Sequence, residues 1–449
     1  ATTMKNKDAE QIAKVNLRLF ICFRMLFNAR FYYPIYALLF LEHGLSWEEF
    51  GILNGIWAIT IIVLEVPSGA LADTLGRKKL LVLAAVCMMV EMLALLLAPM
   101  NGSEYVFMLF ALNRVVSGLA EAAASGADEA LAYDSLKEAG MENDWNKTLE
   151  KAQRLTSLAF FFAMMTGSAF YDAPFINSCM QSIGLDFSMT SDEAIKAPIF
   201  LTFLSSLVVL GAALGMRDSF VAEKMGAWET MKSSFRKTVQ AGTWIWKTPL
   251  PFGILIGAMA LDNVIRQFLT IASAYWSVIE LPIATFGLVA SGMSLMGVFI
   301  PRLARFLSDR FSPHTNFLLL CMVLTIGLYG IGFALPYWGI LPAILLYATM
   351  QIMNYLVSRY LNEEASSERR ATVLSFRGLS TNLSYGAVSI LYSGLVAYIK
   401  TEDIPPIIMG REMKEQDAVF VQSLGWFPWY FLVTLALVII FYRFRFRKS

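Results

Sequence analysis

Charge is scarce in this chain: 16% of its 449 residues are Asp, Glu, Lys or Arg, while 57% are hydrophobic. Soluble domains average about 25% charged and about 45–50% apolar residues, so a solvated globular fold is excluded. A net charge of +1 offers no basic footprint for nucleic acid. The four cysteines, Cys22, Cys87, Cys179 and Cys321, lack the spacing of a disulfide framework or a metal site. Only two histidines, His43 and His314, are present, so any proton relay must rest on carboxylates. No G-x-x-x-x-G-K-[ST] loop occurs, which excludes a P-loop for ATP and leaves a gradient as the energy source. Neither a cofactor nor an enzymatic nucleophile–base arrangement is expected.

What the chain has in abundance is long apolar runs. Twelve candidate spans lie near 16–41, 47–72, 79–99, 104–132, 150–171, 198–216, 250–279, 283–303, 315–335, 338–361, 370–399 and 426–443, long enough for helices across about 30 Å of hydrocarbon. They do not alternate in polarity as barrel strands do. An even count puts both termini on one side. Lys196, Lys400, Arg411 and Lys414 are the only cations assigned to the other side, so the positive-inside bias predicts cytoplasmic termini. The polar start, ATTMKNKDAEQ, has no signal-peptide pattern, and span 1 is expected to stay in the bilayer. The polar stretch after Arg217 predicts three parts: a six-helix bundle over 1–216, a linker over 217–248 and a second six-helix bundle over 249–449. Trp228, Phe235, Trp244 and Trp246 suit either an amphipathic helix at the interface or a solvated linker.

The loop GALADTLGRKK, Gly69 to Lys79, places an acid and a basic cluster between two apolar runs. Its pattern Gly-x-Leu-Ala-Asp-x-x-Gly-Arg-Lys resembles the signature loop between spans 2 and 3 of the major facilitator superfamily of secondary transporters. RFLSDRFSPHT, Arg305 to Thr315, resembles a degenerate second copy, with Asp309 in the place of Asp73. Arg114 to Gly118 resembles the family's Arg-x-x-x-Gly in span 4. LEVPSGALAD (Leu64 to Asp73), ADEALAYDSLKE (Ala127 to Glu138) and ERRATVLSF (Glu368 to Phe376) resemble a drug-efflux-like branch. The Gly-Pro-rich span 5 signature of many proton antiporters is missing, since Leu149 to Tyr171 offers only Thr166-Gly167-Ser168.

The resemblance implies an all-α polytopic membrane protein of twelve transmembrane helices in two pseudo-symmetric six-helix bundles, rocking around a central site lined by spans 1, 4, 7 and 10. It implies a latch in which Asp73 and Arg77 meet an acid at the end of span 4, with Asp128 the best-placed candidate and Glu129 and Asp134 as rivals, while Asp73 faces the start of span 11. Gly69 and Gly76 would permit close approach and a tight turn. A bacterial inner (plasma) membrane location and a monomeric state are expected.

Ionisable residues at membrane depth are functional candidates or structural pairs. Arg114, Glu121 and Asp128 recur every seven residues and are expected on one helical face, with Arg24, Asn28 or Arg30 of span 1 as partners. The set is either a static network or part of a substrate or proton site. In span 7, Asp262 and Arg266 are spaced to pair within the helix, and a substrate that opens the pair would change the acid's proton affinity. Gln351, Asn354 and Tyr355 form a polar stripe in span 10 and are expected at the cavity. Glu91 is expected to stand alone and uncharged; Glu65, just before Pro67, is a reserve candidate for proton work. On the four presumed cavity helices, four arginines (Arg24, Arg30, Arg114, Arg266) face two acids (Glu121, Asp262), a surplus that predicts an anionic or zwitterionic group on an otherwise apolar substrate. Proton-coupled export of an amphipathic organic solute leads; uptake of an organic anion by symport or exchange, and a non-transporting membrane sensor, are the alternatives.

Overall fold

The structure, a computed structural model, describes residues 2–186, 188–218, 226–366, 370–402, 407–408 and 410–446. Seventeen helices follow one another: α1 (Thr2–Asn28), α2 (Tyr36–Glu42), α3 (Trp47–Leu75), α4 (Arg77–Leu97), α5 (Glu104–Ala124), α6 (Ala127–Glu138), α7 (Trp145–Tyr171), α8 (Ala173–Ser182), α9 (Ser191–Gly215), α10 (Ala227–Lys247), α11 (Pro249–Val278), α12 (Phe286–Leu295), α13 (Ile300–Arg310), α14 (Pro313–Gly332), α15 (Ile340–Glu364), α16 (Arg370–Ile399) and α17 (Glu415–Arg445). The only strands among the described residues, Ile407–Ile408 and Arg411–Glu412, pair as a short antiparallel hairpin.

Local sequence sets the ends of these helices. Ser46 and Glu49 form a reciprocal capping box at the start of α3, and Thr190 and Glu193 do the same for α9, satisfying backbone donors that lack an intrahelical partner. Gly76, at φ 98°, alone separates α3 from α4, a left-handed turn that glycine adopts without a Cβ penalty.

Ten helical segments among the described residues are long and apolar enough to cross a membrane. The first and fifth expected spans are helical but more polar: α1 stops at Asn28, and α7 opens with Lys147, Glu150, Lys151 and Arg154. Three expected continuous spans prove to be broken. Span 1 unwinds over 29–35, with Pro34 opening a 3₁₀ turn; the freed N–H of Phe31 donates to Thr202 Oγ1 at 3.1 Å, as backbone at membrane depth requires. Span 8 changes to a 3₁₀ turn at Met296–Val298. Span 4 breaks at Gly126, φ 72°, so Asp128 belongs to α6 and does not continue the α5 face of Arg114 and Glu121.

The bundle α1–α9 and the bundle α11–α17 meet along α3 and α16, and along α7 and α12. Their mutual hydrogen bonds, among the described residues, cluster at mid-depth and on the side opposite the termini. Ser273 Oγ accepts from the N–H groups of Ala37 and Leu38 at 2.9 and 3.2 Å. Asp172 accepts from Ala284 N at 3.2 Å, and Lys400 pairs with Glu48 at 2.8 Å. Here Thr166-Gly167-Ser168 has its use: Ser168 Oγ accepts from Gly287 N at 3.0 Å, and Gly167 lets α7 press on the Phe31 carbonyl. The linker region forms α10, which lies against α3, α11 and α16 with Ala241 and Ile245 buried and Trp228, Phe235 and Trp246 exposed.

Candidate functional site

The break in span 1 creates the centre of the first bundle. Because Arg30 stands in the unwound segment, its side chain turns inward, where it is 1% exposed. Its Nη1 donates to both oxygens of Glu91 at 2.5 and 2.6 Å, and its Nη2 to Glu121 at 3.3 Å. Tyr32 OH donates to Glu91 at 3.1 Å. Glu91 is therefore not alone, contrary to the expectation from its own helix, because the partner comes from a chain break that helical periodicity does not reveal. A buried carboxylate of this kind is tolerated when charge and lone pairs are both met.

Arg114, on α5, is differently placed. It lies 3.8 Å from Glu91 but gives its hydrogen bonds to neutral acceptors, Asn113 Oδ1 from Nε at 2.8 Å and Tyr36 OH at 2.6 Å, and its guanidinium sits over the Tyr36 and Phe40 rings. Tyr36 in turn donates to Asn54 at 2.8 Å. In the second bundle Arg266 pairs with Asp262 at 2.8 Å, as the four-residue spacing on α11 predicts. It also donates to Asn382 of α16 at 2.8 Å and covers the Tyr385 ring.

Arg114, Glu121 and Arg266 line one central opening, whereas Arg30, Glu91 and Asp262 are not among the residues of its walls. A cavity of about 350 Å³ is bounded by Tyr33, Tyr36, Arg114 and Glu121 from the first bundle and by Arg266 and Tyr385 from the second. Through Glu121 it adjoins a chamber of about 380 Å³ toward the termini, lined by Arg24, Asn28, Glu65, Asp128, Glu129 and Asn382. Through Tyr33 and Tyr36 it adjoins a third lobe reaching Gln153 and Tyr347. Of the span 10 stripe, Gln351 donates to Tyr347 OH at 2.7 Å, Asn354 accepts from Arg377 at 2.7 Å, and Tyr355 packs against apolar core; Tyr347 is the span 10 residue in these walls.

Arg24 does not join Glu121. It pairs with Glu129 and lies 3.7 Å from Asp128 at the chamber mouth, while Asn28 donates to the Arg24 carbonyl at 2.7 Å. Around the centre, four guanidiniums (Arg30, Arg114, Arg266, Arg377) face three carboxylates (Glu91, Glu121, Asp262). The cationic surplus is thus smaller than the sequence predicts, because Glu91 joins the set while Arg377 takes the place of Arg24; a further carboxyl, Glu65, lines the adjoining chamber. Tyr33, Tyr36, Asn54 and Tyr385 were not legible as site residues; their signal was a polar atom at the end of an aromatic or amide side chain, common on many faces of these helices.

The signature loops also find partners. Arg77 pairs with Asp134 and donates to the Ala130 carbonyl at 3.1 Å; Asp128, the favoured acid, is held by Arg24, because the turn at Gly126 carries it to the opposite side of α6. Asp309 pairs with Arg359 of α15 at 2.8 Å. Each bundle therefore ties its second loop to the end of its fourth span, with the signs reversed. The side chain of Asp73, the residue Gly69 and the start of span 11 lie outside what the structure describes. Reversing one charge in Arg77→Asp is expected to slow transport by setting two acids against each other, and Arg77→Asp with Asp134→Arg to restore it; reconstituted transport rates check both.

The Major Facilitator Superfamily profile matches residues 19–389, and the chain belongs to that family. It is an integral membrane transporter of small solutes, not an enzyme. Solved structures share its fold: the nucleoside transporter NupG, at TM-score 0.70 and 11% identity over 98% of this chain and 100% of that one; a bacterial homologue of the human lysosomal transporter Spinster, inward-facing and unoccupied, at 0.68 and 14% over 98% and 97%; and a D-xylose–proton symporter, at 0.61 and 14% over 95% and 96%. No curated protein sequence matches the chain.

Proposed function

We propose that this transporter exports a small amphipathic organic solute carrying an anionic or zwitterionic group, in exchange for protons, as a monomer in a bacterial inner membrane with both termini cytoplasmic. In this reading bundles 1–216 and 249–449 rock about the centre, 217–248 links them, and Gly69, Asp73, Gly76, Arg77 and Asp309 serve the latch on the side of the termini, with Asp134 in the place expected of Asp128. The observation that carries it is the pair Arg114 and Arg266, contributed by opposite bundles to one tyrosine-lined cavity. Arg114 gives its hydrogen bonds, among the described residues, to neutral acceptors, and the carboxylate 3.8 Å from it, Glu91, is bonded directly by Arg30, so part of its charge is open to an anionic group. The rings of Tyr33, Tyr36 and Tyr385 offer apolar area with a polar tip. An anion bound between the two guanidiniums would draw the bundles together, which is how binding energy is converted to a change of state.

Efflux rests on the drug-efflux-like stretches that form α3 and α6. Uptake by symport is the second reading, favoured by the arginines and by a structural relative named as a D-xylose–proton symporter. Reconstituted protein with a pH-sensitive dye inside the vesicles tests both, with amphipathic anions, zwitterions and cations as candidates. Arg114→Ala and Arg266→Ala are each expected to weaken apparent affinity about 10- to 100-fold, the loss of a charged hydrogen bond of about 1.5–3 kcal/mol. Substrate-driven proton movement confined to cations, or unchanged in both variants, would sink the proposal.

A further inference from the structure

One half-buried carboxylate remains without an assignment. Glu65 lies on α3, two residues before Pro67 inside the helix, and lines the 380 Å³ chamber together with Glu121 and Asn382. Its Oε2 is shielded from solvent and has no hydrogen-bond partner among the described residues. Every other acid around the centre is held by an arginine: Glu91 and Glu121 by Arg30, Asp128 and Glu129 by Arg24, Asp262 by Arg266.

We infer that Glu65 is the residue that carries the coupling proton; this rests on the proton-coupled reading above. Its position is the argument. The helix α3 runs along α16 at the seam between the bundles, and Glu65 Oε1 lies 3.8 Å from the place a Cβ would take on Gly378. Alternating access requires that seam to move. A charged carboxylate is costly in a dry seam, whereas a neutral carboxyl is far less so. The ionised form therefore favours the arrangement in which the chamber is wet, and the protonated form permits the seam to close around it. Glu65 takes a proton from water when it faces one side and returns it to water on the other, so charge and mass balance over the cycle.

The charges around it leave this role open. On α1 Arg24 is engaged at the mouth with Asp128 and Glu129 of α6, on α4 Glu91 is held by Arg30, and on α5 Arg114 and Glu121 have the partners given above. On α16 Arg377 turns to Asn354 of α15. The charged residues of α10, Glu229, Lys232, Arg236, Lys237 and Lys247, are exposed. None pairs with Glu65, so its protonation is free to follow access to water, whereas the paired acids are held by their arginines.

The test compares wild type with Glu65→Gln and Glu65→Asp in lipid vesicles, after gel filtration establishes that all three elute alike. Infrared difference spectra across a pH titration read the protonated carboxyl stretch; a pH gradient with rhodamine B, a fluorescent amphipathic zwitterion, and a panel of amphipathic anions reads coupling. The expected result is a carboxyl band lost in Glu65→Gln and kept in Glu65→Asp, with gradient-driven transport lost and kept in the same order. Identical spectra in wild type and Glu65→Gln overturn the assignment whatever transport does, as does gradient-driven transport that persists in Glu65→Gln. A band lost in Glu65→Gln while wild-type transport ignores the pH gradient overturns the proton-coupled reading, and with it the carrier role.

Discussion

Replacing Arg30 with methionine is expected to destabilise the protein by about 3–5 kcal/mol, because removal of one member of a buried ionic cluster leaves the others uncompensated. Arg30 is the hub: it binds both oxygens of Glu91, reaches Glu121, and donates from Nε to the Phe27 carbonyl at 3.3 Å. With the guanidinium gone, Glu91 retains Tyr32 OH and a 3.8 Å approach of Arg114, too little for a fully buried carboxylate. The Tm of the detergent-solubilised variant should fall clearly. Arg30→Met combined with Glu91→Leu should recover most of the loss, since well-packed apolar side chains replace buried ion pairs at little cost. A single variant as stable as wild type would show that the cluster is not a structural keystone. If the double variant regains Tm but not transport, the cluster serves function as well as fold.

An alanine at Gly287 is expected to shift the balance between the two access states. A Cβ there would overlap the carbonyl oxygen of Met164 and the Ser168 hydroxyl, and one at Gly167 would overlap the Phe31 carbonyl. Both glycines lie where α7 meets the neighbouring chain, with Gly287 N bonded to Ser168 Oγ. Overpacking costs about 1–3 kcal/mol, which is roughly a 5- to 150-fold change in an equilibrium. The cost falls on the arrangement in which α7 and α12 are packed, so Gly287→Ala should favour opening on the side away from the termini. The readout is an Ala284→Cys reporter in a Cys179→Ser background, labelled with a membrane-impermeant maleimide. Faster labelling in Gly287→Ala is the expected outcome; equal rates would mean that the α7–α12 contact does not set the balance.

The two expectations separate stability from conformational balance. Arg30 acts inside one bundle and should change Tm without favouring either access state. Gly287 acts between bundles and should change access more than Tm. A transporter needs both kinds of contact: rigid bodies held by satisfied charges, and a seam whose contacts are few enough to exchange.

How far the sequence reaches can be seen residue by residue. Asp262 and Arg266 were legible as a pair because both lie on one uninterrupted helix, where four-residue spacing fixes proximity. The first signature loop was legible because glycine, acid and base stand in a fixed order at a turn, and the second because it keeps the acid and base without the glycine. Membrane insertion followed from apolar length, which the bilayer thickness makes nearly sufficient, and the family fold from the resemblance of the signature stretches. Periodicity failed where helices break. It set Asp128 on the face of Arg114 and Glu121, but the left-handed turn at Gly126 moved it to α6 and to Arg24. It gave Glu91 no base, but the unwound segment at 29–35 delivered Arg30.

The sequence by itself thus determined that this protein spans a membrane and which acids and bases neighbour each other within one uninterrupted helix. Only the tertiary structure decided which helices supply partners to buried charges, that Tyr33, Tyr36 and Tyr385 share a cavity with Arg114 and Arg266, and that Glu65 is left unpaired at the seam. The physical reason is range: backbone geometry and hydrophobic length are properties of neighbouring residues, whereas the pairing of a buried charge depends on how separate helices pack, and a short stretch of sequence does not encode that.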